Sequence, residues 1–230
     1  MKISLVSILA LSLMYTGCAT TTRYTKVAKA QLPNTVKITV EVETILVTDE
    51  SMEVRNEYRL GSGVLVSKRG HILTAAHLLP SQHKAVVVQT YNEPMAEYGG
   101  TVMKVDRAKD LALIKIDYSS RSPAKLAPIN SVIVGEEVVA IGHPLHLEWT
   151  VTHGIISRFG TNCVYVQSDA SMNPGNSGGP VLDLEGRIIG ISSHLYTHGG
   201  GPADAGLNMA SSIQSIHQFF YDFRGLEEVQ

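Results

Sequence analysis

Cysteine is nearly absent from this sequence: its 230 residues include only Cys18 and Cys163. Two cysteines cannot build a disulfide framework, so a fold of this length must rely on its hydrophobic core. Hydrophobic residues make up 44% of the chain and charged residues 17%, which suits a globular protein with such a core. Cys163 lies in the β-rich stretch TNCVYVQ, where we expect a small, buried, apolar residue.

An excess of positive charge is also missing. The formal net charge is −2, and no basic run or patch stands out. Because binding to nucleic acid depends on such a patch, we expect no nucleic-acid partner.

Only the N-terminus has membrane character, and its apolar run is too short to cross a bilayer. About a dozen apolar residues follow Lys2, the length of a secretory signal. The run ends in YTGC, which resembles a bacterial lipoprotein signal. We therefore expect residues 1–17 to be a signal peptide and Cys18 to carry a lipid that anchors the protein to a membrane of the bacterial cell envelope. A plain signal peptide with an incidental cysteine is the alternative.

The rest of the chain divides into a linker, a β-rich domain and a terminal helix. Residues 18–32 are rich in Thr, Ala and Lys, which predicts a tether. From Val36 onward, short apolar runs alternate with Gly, Pro, Asn and Ser clusters, the pattern of an all-β barrel or sandwich. Helical spacing appears in AAHLLP, as one short turn, and near the C-terminus in SSIQSIHQFFYDF, with Ser211 or Ser212 as the cap. The aromatic residues of that helix are expected to pack on the domain; an exposed oligomer contact is the alternative.

One turn contains a candidate nucleophile. Ser177 lies in NPGNSGGPV, and a serine needs a general base, usually a histidine that a third group orients. His77 ends a hydrophobic strand in LTAAHLL, and Asp110 begins the apolar strand DLALIKID. Their order, His77, Asp110, Ser177, is that of chymotrypsin-type triads. The alternatives are a serine that only serves the turn and a carboxylate satisfied by nearby backbone donors.

The glycines of the same turn fit a site for a developing negative charge. Without a Cβ, Gly175 can direct its N–H group at an oxyanion, and the Ser177 N–H group would be the second donor. Gly178 and Gly179 permit the tight return of the chain behind the serine.

Four segments closely resemble the protease domain of the HtrA/Deg family of trypsin-like serine proteases, in the family's order and at similar spacing. They are GSGVLVSKRGHILTAAHL, DLALIKID, VVAIGHPLHLEWTVTHGIIS and VQSDASMNPGNSGGPVLDLEGRIIGI. The resemblance covers residues 33–213 and implies an all-β fold of two six-stranded antiparallel β-barrels, followed by a C-terminal helix within residues 214–230. Barrel one would carry His77 and Asp110, barrel two Ser177, with the active site in the cleft between them.

The resemblance also implies a function. We expect a serine endopeptidase that cleaves unfolded or misfolded envelope proteins and requires no metal or organic cofactor. Met172 and Leu195 match apolar residues of the family's specificity pocket, and Ser171 puts no charge there, so an apolar residue is expected before the cleaved bond. Thr197–Gly206 is either an activation-type loop or a plain connection.

Departures from the family pattern leave some expectations open. We expect no PDZ domain after the protease domain, so regulation by such a module and the family's trimer cannot be assumed, although a homo-oligomer stays open. His143 stands where the family commonly has Asn, and with His146 it suggests a metal site, but no third ligand is evident. A catalytically silent or zymogen-like protease fold that binds polypeptides is the alternative function.

Overall fold

The computed structural model describes residues 22–47, 52–193 and 208–223. The predicted signal peptide, Cys18, Leu195 and the Thr197–Gly206 loop lie outside these residues. Within the described ranges, no helix is both long enough and apolar enough to cross a bilayer.

The first sheet has seven antiparallel strands. The predicted alternation holds in its first strand, since Val36, Ile38, Val40 and Val42 are all buried. These side chains and those of the neighbouring strands form one hydrophobic core. The strands are β1 (Thr35–Val47), β2 (Met52–Leu65), β3 (His71–Thr74), β4 (Ala85–Thr90), β5 (Tyr98–Gly99), β6 (Thr101–Asp106) and β7 (Leu111–Lys115).

The order of these strands nearly closes the first sheet into a barrel. The order is β5-β4-β1-β2-β3-β7-β6, so β5 and β6 lie at opposite ends of it. In the chain, however, only Gly100 separates them, and its N–H group donates to the carbonyl oxygen of Val86 at 2.8 Å. Two short strands around one glycine thus replace the continuous sixth strand that we expected, because the segment must turn from β4 towards β7.

The second sheet is a closed barrel of six antiparallel strands, as predicted. The strand order around it is β10-β13-β12-β11-β8-β9. A second and larger hydrophobic core contains its buried side chains together with some from the first sheet, among them Val64, Leu73 and Leu111. The strands are β8 (Glu137–Gly142), β9 (Thr150–Phe159), β10 (Tyr165–Ser168), β11 (Pro180–Leu182), β12 (Ile188–Ser193) and β13 (Asn208–Ser212). The all-β fold class is therefore confirmed, with one closed six-stranded barrel; in place of the other predicted six-stranded barrel there is a half-barrel sheet of seven strands.

A helix lies where we expected only a tether. Helix α1 (Arg23–Gln31) begins with the Thr22 side chain accepting from the Thr25 N–H group. Val27 is buried in the core of the second barrel. The ring of Tyr24 stacks on His153 of β9 with centroids 4.6 Å apart, and its hydroxyl donates to Glu137 of β8. The second barrel gives this polar segment the apolar contact that it needs to form a stable helix.

The C-terminal helix forms as predicted. Helix α2 (Ile213–Tyr221) follows β13 directly, and the Ser212 hydroxyl caps it by accepting from the Ser215 N–H group. Phe219 and Phe220 are buried in the second core, so the helix packs on barrel two.

The expectation for Cys163 is wrong. The residue is exposed, in a tight turn between β9 and β10. Asn162 and Cys163 have φ values of 54° and 55°, and this left-handed backbone places the turn at the surface instead of in a strand.

Candidate active site

Two strands of the first sheet bring His77 and Asp110 together. Strand β3 ends at Thr74, and a single 3₁₀ turn, Ala76–Leu78, carries His77. Asp110 immediately precedes β7, which pairs with β3. The Nδ1 atom of His77 lies 2.8 Å from Oδ2 of Asp110, and the His77 backbone N–H group donates to Oδ1 at 2.8 Å. The carboxylate thus holds both the ring and the backbone of the histidine.

Asp110 is fully buried and is held from the second barrel as well. The hydroxyl of Ser193, at the end of β12, donates to Oδ2 of Asp110. A carboxylate accepts only, so Nδ1 of His77 must carry the proton that it shares with Asp110, which leaves Nε2 as the acceptor nitrogen. Sequence reasoning missed Ser193, because the serine lies 83 positions from its partner.

The turn with Ser177 is fixed between the two barrels. Its carbonyl oxygen accepts from the N–H group of Ser62 on β2 at 2.8 Å. The next N–H group, of Gly178, donates to the carbonyl oxygen of Ser192 at 2.8 Å, beside the serine that holds Asp110. A Cβ atom on Gly178, whose φ is 87°, would lie 3.0 Å from the backbone nitrogen of Ala75, two residues before His77. The structure therefore brings all three predicted triad residues to one place.

Ser177 itself is buried, with 3% of its surface exposed. Among the described residues there is no hydrogen bond between its hydroxyl and the His77 ring. In proteases without substrate this contact is often long and tightens on binding.

Two N–H groups of the turn are unpaired in the described part of the chain: those of Gly175 and Ser177. The amides around them are all used, since Asn176 donates to Asn173, Gly178 to Ser192 and Gly179 to Asn176. Two unpaired amides close together in a partly buried turn are the donors that an oxyanion needs.

The carbonyl groups opposite these two amides are held in place. In a trans peptide the C=O and N–H groups point in opposite directions, so fixing one fixes the other. The Pro174 oxygen accepts from Leu145 N–H at 2.9 Å, which orients the Gly175 amide. The Asn176 oxygen accepts from Gly179 N–H at 2.8 Å, which orients the Ser177 amide.

The structure describes two of the three predicted pocket residues, Ser171 and Met172. Met172 is buried in the second core, with its N–H group donating to Oδ1 of Asn208 at 3.3 Å. Ser171 is exposed, and its carbonyl oxygen accepts from the hydroxyl of Thr152. Leu195 lies outside the described residues.

The predicted histidine pair of the HPLH segment separates in the structure. His143 is 4% exposed, whereas His146 points to solvent. Across the described ranges, no group of three or more His, Cys, Asp or Glu side chains could hold a metal ion.

A trypsin-like peptidase domain matches residues 61–191, which include His77, Asp110 and Ser177. The chain belongs to the trypsin-like peptidase family. Two relatives of this trypsin-like peptidase show the HtrA type, as the sequence resemblance implied. A probable periplasmic serine endoprotease DegP-like from Pseudomonas savastanoi pv. phaseolicola is 35% identical over 176 residues, covering 70% of this chain and 36% of its own. Serine protease HTRA4 of Mus musculus is 40% identical over 174 residues, covering 71% of this chain and 34% of its own.

A solved structure shares the fold of this trypsin-like peptidase. An HtrA-type protease with a bound decapeptide superimposes with a TM-score of 0.75, over 90% of this chain and 68% of its own, at 24% identity. The trypsin-like peptidase spans only about a third of the length of the curated relatives, 36% and 34%.

Proposed function

We propose that this trypsin-like peptidase is a serine endopeptidase whose catalytic residues are His77, Asp110 and Ser177. The observation that carries the proposal is the buried Asp110 carboxylate, which accepts from Nδ1 of His77 and so leaves Nε2 free to accept a proton.

The geometry supports acyl transfer in two steps. The Ser177 hydroxyl attacks the carbonyl carbon of the scissile peptide bond while Nε2 of His77 takes its proton. His77 then gives this proton to the leaving amine, and a water molecule repeats the sequence to release the acyl product. Asp110 stabilises the charged imidazole that exists between these steps.

The Gly175 and Ser177 amides would bind the oxyanion of each tetrahedral intermediate. The loss of one such donor costs about 10²–10³ in kcat in serine proteases. Because the anchored carbonyls of Pro174 and Asn176 already orient both amides, the site needs little reorganisation when charge develops.

The substrates that we propose are unfolded or misfolded polypeptides of the bacterial envelope, cleaved after apolar residues. The location is supported by the periplasmic DegP-like relatives, and a peptide ligand by the decapeptide of the solved HtrA-type protease. The absence of a charged side chain at Ser171 favours an apolar residue before the cleaved bond.

Covalent labelling tests the proposed function. A fluorophosphonate probe reacts only with an activated serine, so mass spectrometry should locate it on Ser177 in the wild type, and the Ser177→Ala variant should carry no label. The wild type should also degrade unfolded casein, and the variant should not. A wild type that stays unlabelled and leaves casein intact, even with added peptide or lipid, would contradict the proposal and favour a fold that binds polypeptides without cleaving them.

We further propose that a lipid on Cys18 anchors the enzyme to the membrane, facing the periplasm or the exterior. The support is the YTGC sequence at the end of the apolar segment. Exchange of Cys18 for Ser should move the protein from the membrane fraction to the soluble fraction, and unchanged partitioning would contradict the anchor.

A further inference from the structure

Two buried residues, Ser62 and His143, form a chain of hydrogen bonds that ends at Gly175. The hydroxyl of Ser62, on β2, donates to the carbonyl oxygen of Gly175 at 2.7 Å. The Oγ atom of Ser62 also lies 3.0 Å from Nδ1 of His143 and accepts from the His143 backbone N–H group at 3.1 Å. Ser62 is fully buried and His143 nearly so. A first-barrel side chain therefore links a second-barrel histidine to the turn that contains the nucleophile.

The direction of each hydrogen bond follows from the hydroxyl group. A serine hydroxyl has one proton and two lone pairs. Its proton must go to Gly175, because a carbonyl oxygen can only accept. Nδ1 of His143 must then donate to Ser62, so the ring is the tautomer protonated at Nδ1. Its Nε2 atom is buried and has no hydrogen-bond partner among the described residues.

Gly175 depends on such external contacts. Its φ of 103° is accessible to glycine, and glycine has the most freedom to leave it. Leu145 holds the peptide on one side of Gly175 through the Pro174 oxygen, and Ser62 holds the peptide on the other side. Both torsions of Gly175 are thereby restricted. Without Ser62, the peptide after Gly175 would keep only the bond from the Asn176 N–H group to the Asn173 oxygen, which lies within the turn itself.

We propose that Ser62 and His143 are positioning residues that hold the Gly175 amide in its oxyanion-binding orientation. The proposal rests on the proposed serine endopeptidase function, since it assigns the Gly175 amide a role in that reaction. Neither side chain touches the reacting atoms; each acts through the backbone of the turn.

The surroundings of His143 keep the ring neutral. Burial lowers the pKa of His143 to about 4. The charged groups facing it oppose each other: Glu148, on its own loop, raises the pKa, and Lys37, on β1, lowers it. These two form an ion pair of 2.6 Å. The ring of Trp149 lies edge-on to His143 at 4.9 Å, and its Nε1–H group donates to the Thr35 oxygen at 3.0 Å.

Kinetics of four single variants and one double variant test the positioning role. Ser62→Ala and His143→Leu should each lower kcat by about 10–100-fold, with KM within about threefold, because the amide acts mainly in the transition state. The double variant should lose no more than about the larger single loss, since both residues act through one chain of bonds. His143→Asn, which keeps an amide donor near Nδ1, should retain at least about a third of the wild-type kcat.

Ser67→Ala is the matched control. Ser67 and His71 form a second buried pair, with Ser67 Oγ 2.7 Å from His71 Nδ1, and in the described part of the chain the Ser67 hydroxyl makes no hydrogen bond to the turn. This variant loses a similar buried hydrogen bond, so its thermal stability should fall about as much as that of Ser62→Ala, while its kcat stays within about twofold of the wild type. Equal kcat for Ser62→Ala and Ser67→Ala, or a change in KM alone, would overturn the proposal.

Fluorescence gives a readout that does not depend on activity. Trp149 is the only tryptophan, and a protonated imidazole in contact quenches indole emission. The signal should stay constant from neutral pH down to roughly pH 5 and then fall with a midpoint of about 4, and His143→Asn should abolish this fall. The Ser177→Ala variant should titrate like the wild type, so failed catalysis is distinguishable from a failed network. A midpoint near the ordinary histidine value of about 6.5 would overturn the buried network.

Discussion

The Asp110→Asn variant is expected to fold normally and to lose about four orders of magnitude in kcat, as in other triad proteases. The physical reason is the tautomer of His77. The asparagine amide can donate but not accept at the place of Oδ2, so Nδ1 of His77 must become the acceptor. The proton then sits on Nε2, which can no longer take the proton of Ser177.

The backbone conformation at Asp110 allows asparagine to replace the aspartate without disturbing the fold. Its φ of 51° lies in the left-handed region, which Asn and Asp tolerate better than other residues with a side chain. The Oδ1 atom of asparagine can still accept from the His77 N–H group, as Asp110 does at 2.8 Å. Loss of activity can therefore be assigned to the proton position instead of to misfolding.

Ser193→Ala is the control for this experiment. It removes one of the three donors to Asp110 but leaves the tautomer of His77 unchanged. We expect about a tenfold loss in kcat, the effect of one hydrogen bond of roughly 1.4 kcal/mol. Steady-state kinetics on a peptide substrate and thermal unfolding would measure both variants. If Asp110→Asn kept kcat within about a factor of ten, as expected for Ser193→Ala, Asp110 would not orient the general base.

The Gly175→Ala variant is expected to lose about 10³-fold or more in kcat, because the change displaces the turn and moves the Gly175 N–H group away from the oxyanion. A Cβ atom at this position would lie 2.2 Å from the carbonyl oxygen of His143, which is far shorter than the contacts that Cβ atoms make in proteins. The φ of 103° adds strain for any residue with a side chain. The chain must rotate away, and the amide rotates with it.

The Gly135→Ala variant is the control that shows the effect of backbone strain alone. Gly135 has a similar φ of 88°, but a Cβ atom there meets nothing within 4 Å. This control should destabilise the protein by about 1 kcal/mol and leave kcat unchanged. Comparable kcat values for Gly175→Ala and Gly135→Ala would show that the Gly175 amide does not bind the oxyanion. Labelling of Ser177 by the fluorophosphonate, which also needs the oxyanion site, should slow in parallel in Gly175→Ala.

The sequence predicted those parts of the fold that depend on local periodicity. The alternation at Val36, Ile38 and Val40 and the helical spacing of Phe219 and Phe220 each reflect one buried face. Helix α1 was missed because only Val27 of its nine residues is buried, and its stability comes from the second barrel. The turn at Cys163 was missed because a left-handed backbone at a residue other than glycine leaves no mark in composition.

In the candidate site, motifs predicted the three proposed catalytic residues but not the residues that hold them in place. Glycines and apolar flanks surround Ser177, His77 and Asp110, so their settings are visible in the sequence. Ser62 and His143, by contrast, lie 81 positions apart, and Ser62 bonds Gly175 across 113 positions. Such contacts depend on how the two barrels meet, which no local pattern encodes.

Helix α1 has a consequence for how far the enzyme can reach. The helix is docked on the second barrel and begins at its cap, Thr22, so only four peptide units separate the start of the helix from Cys18. Four extended residues span at most about 14 Å. If Cys18 carries the proposed lipid, this short connection would hold the protease domain close to the bilayer. The domain could then cleave only polypeptides that emerge from that membrane or lie along it.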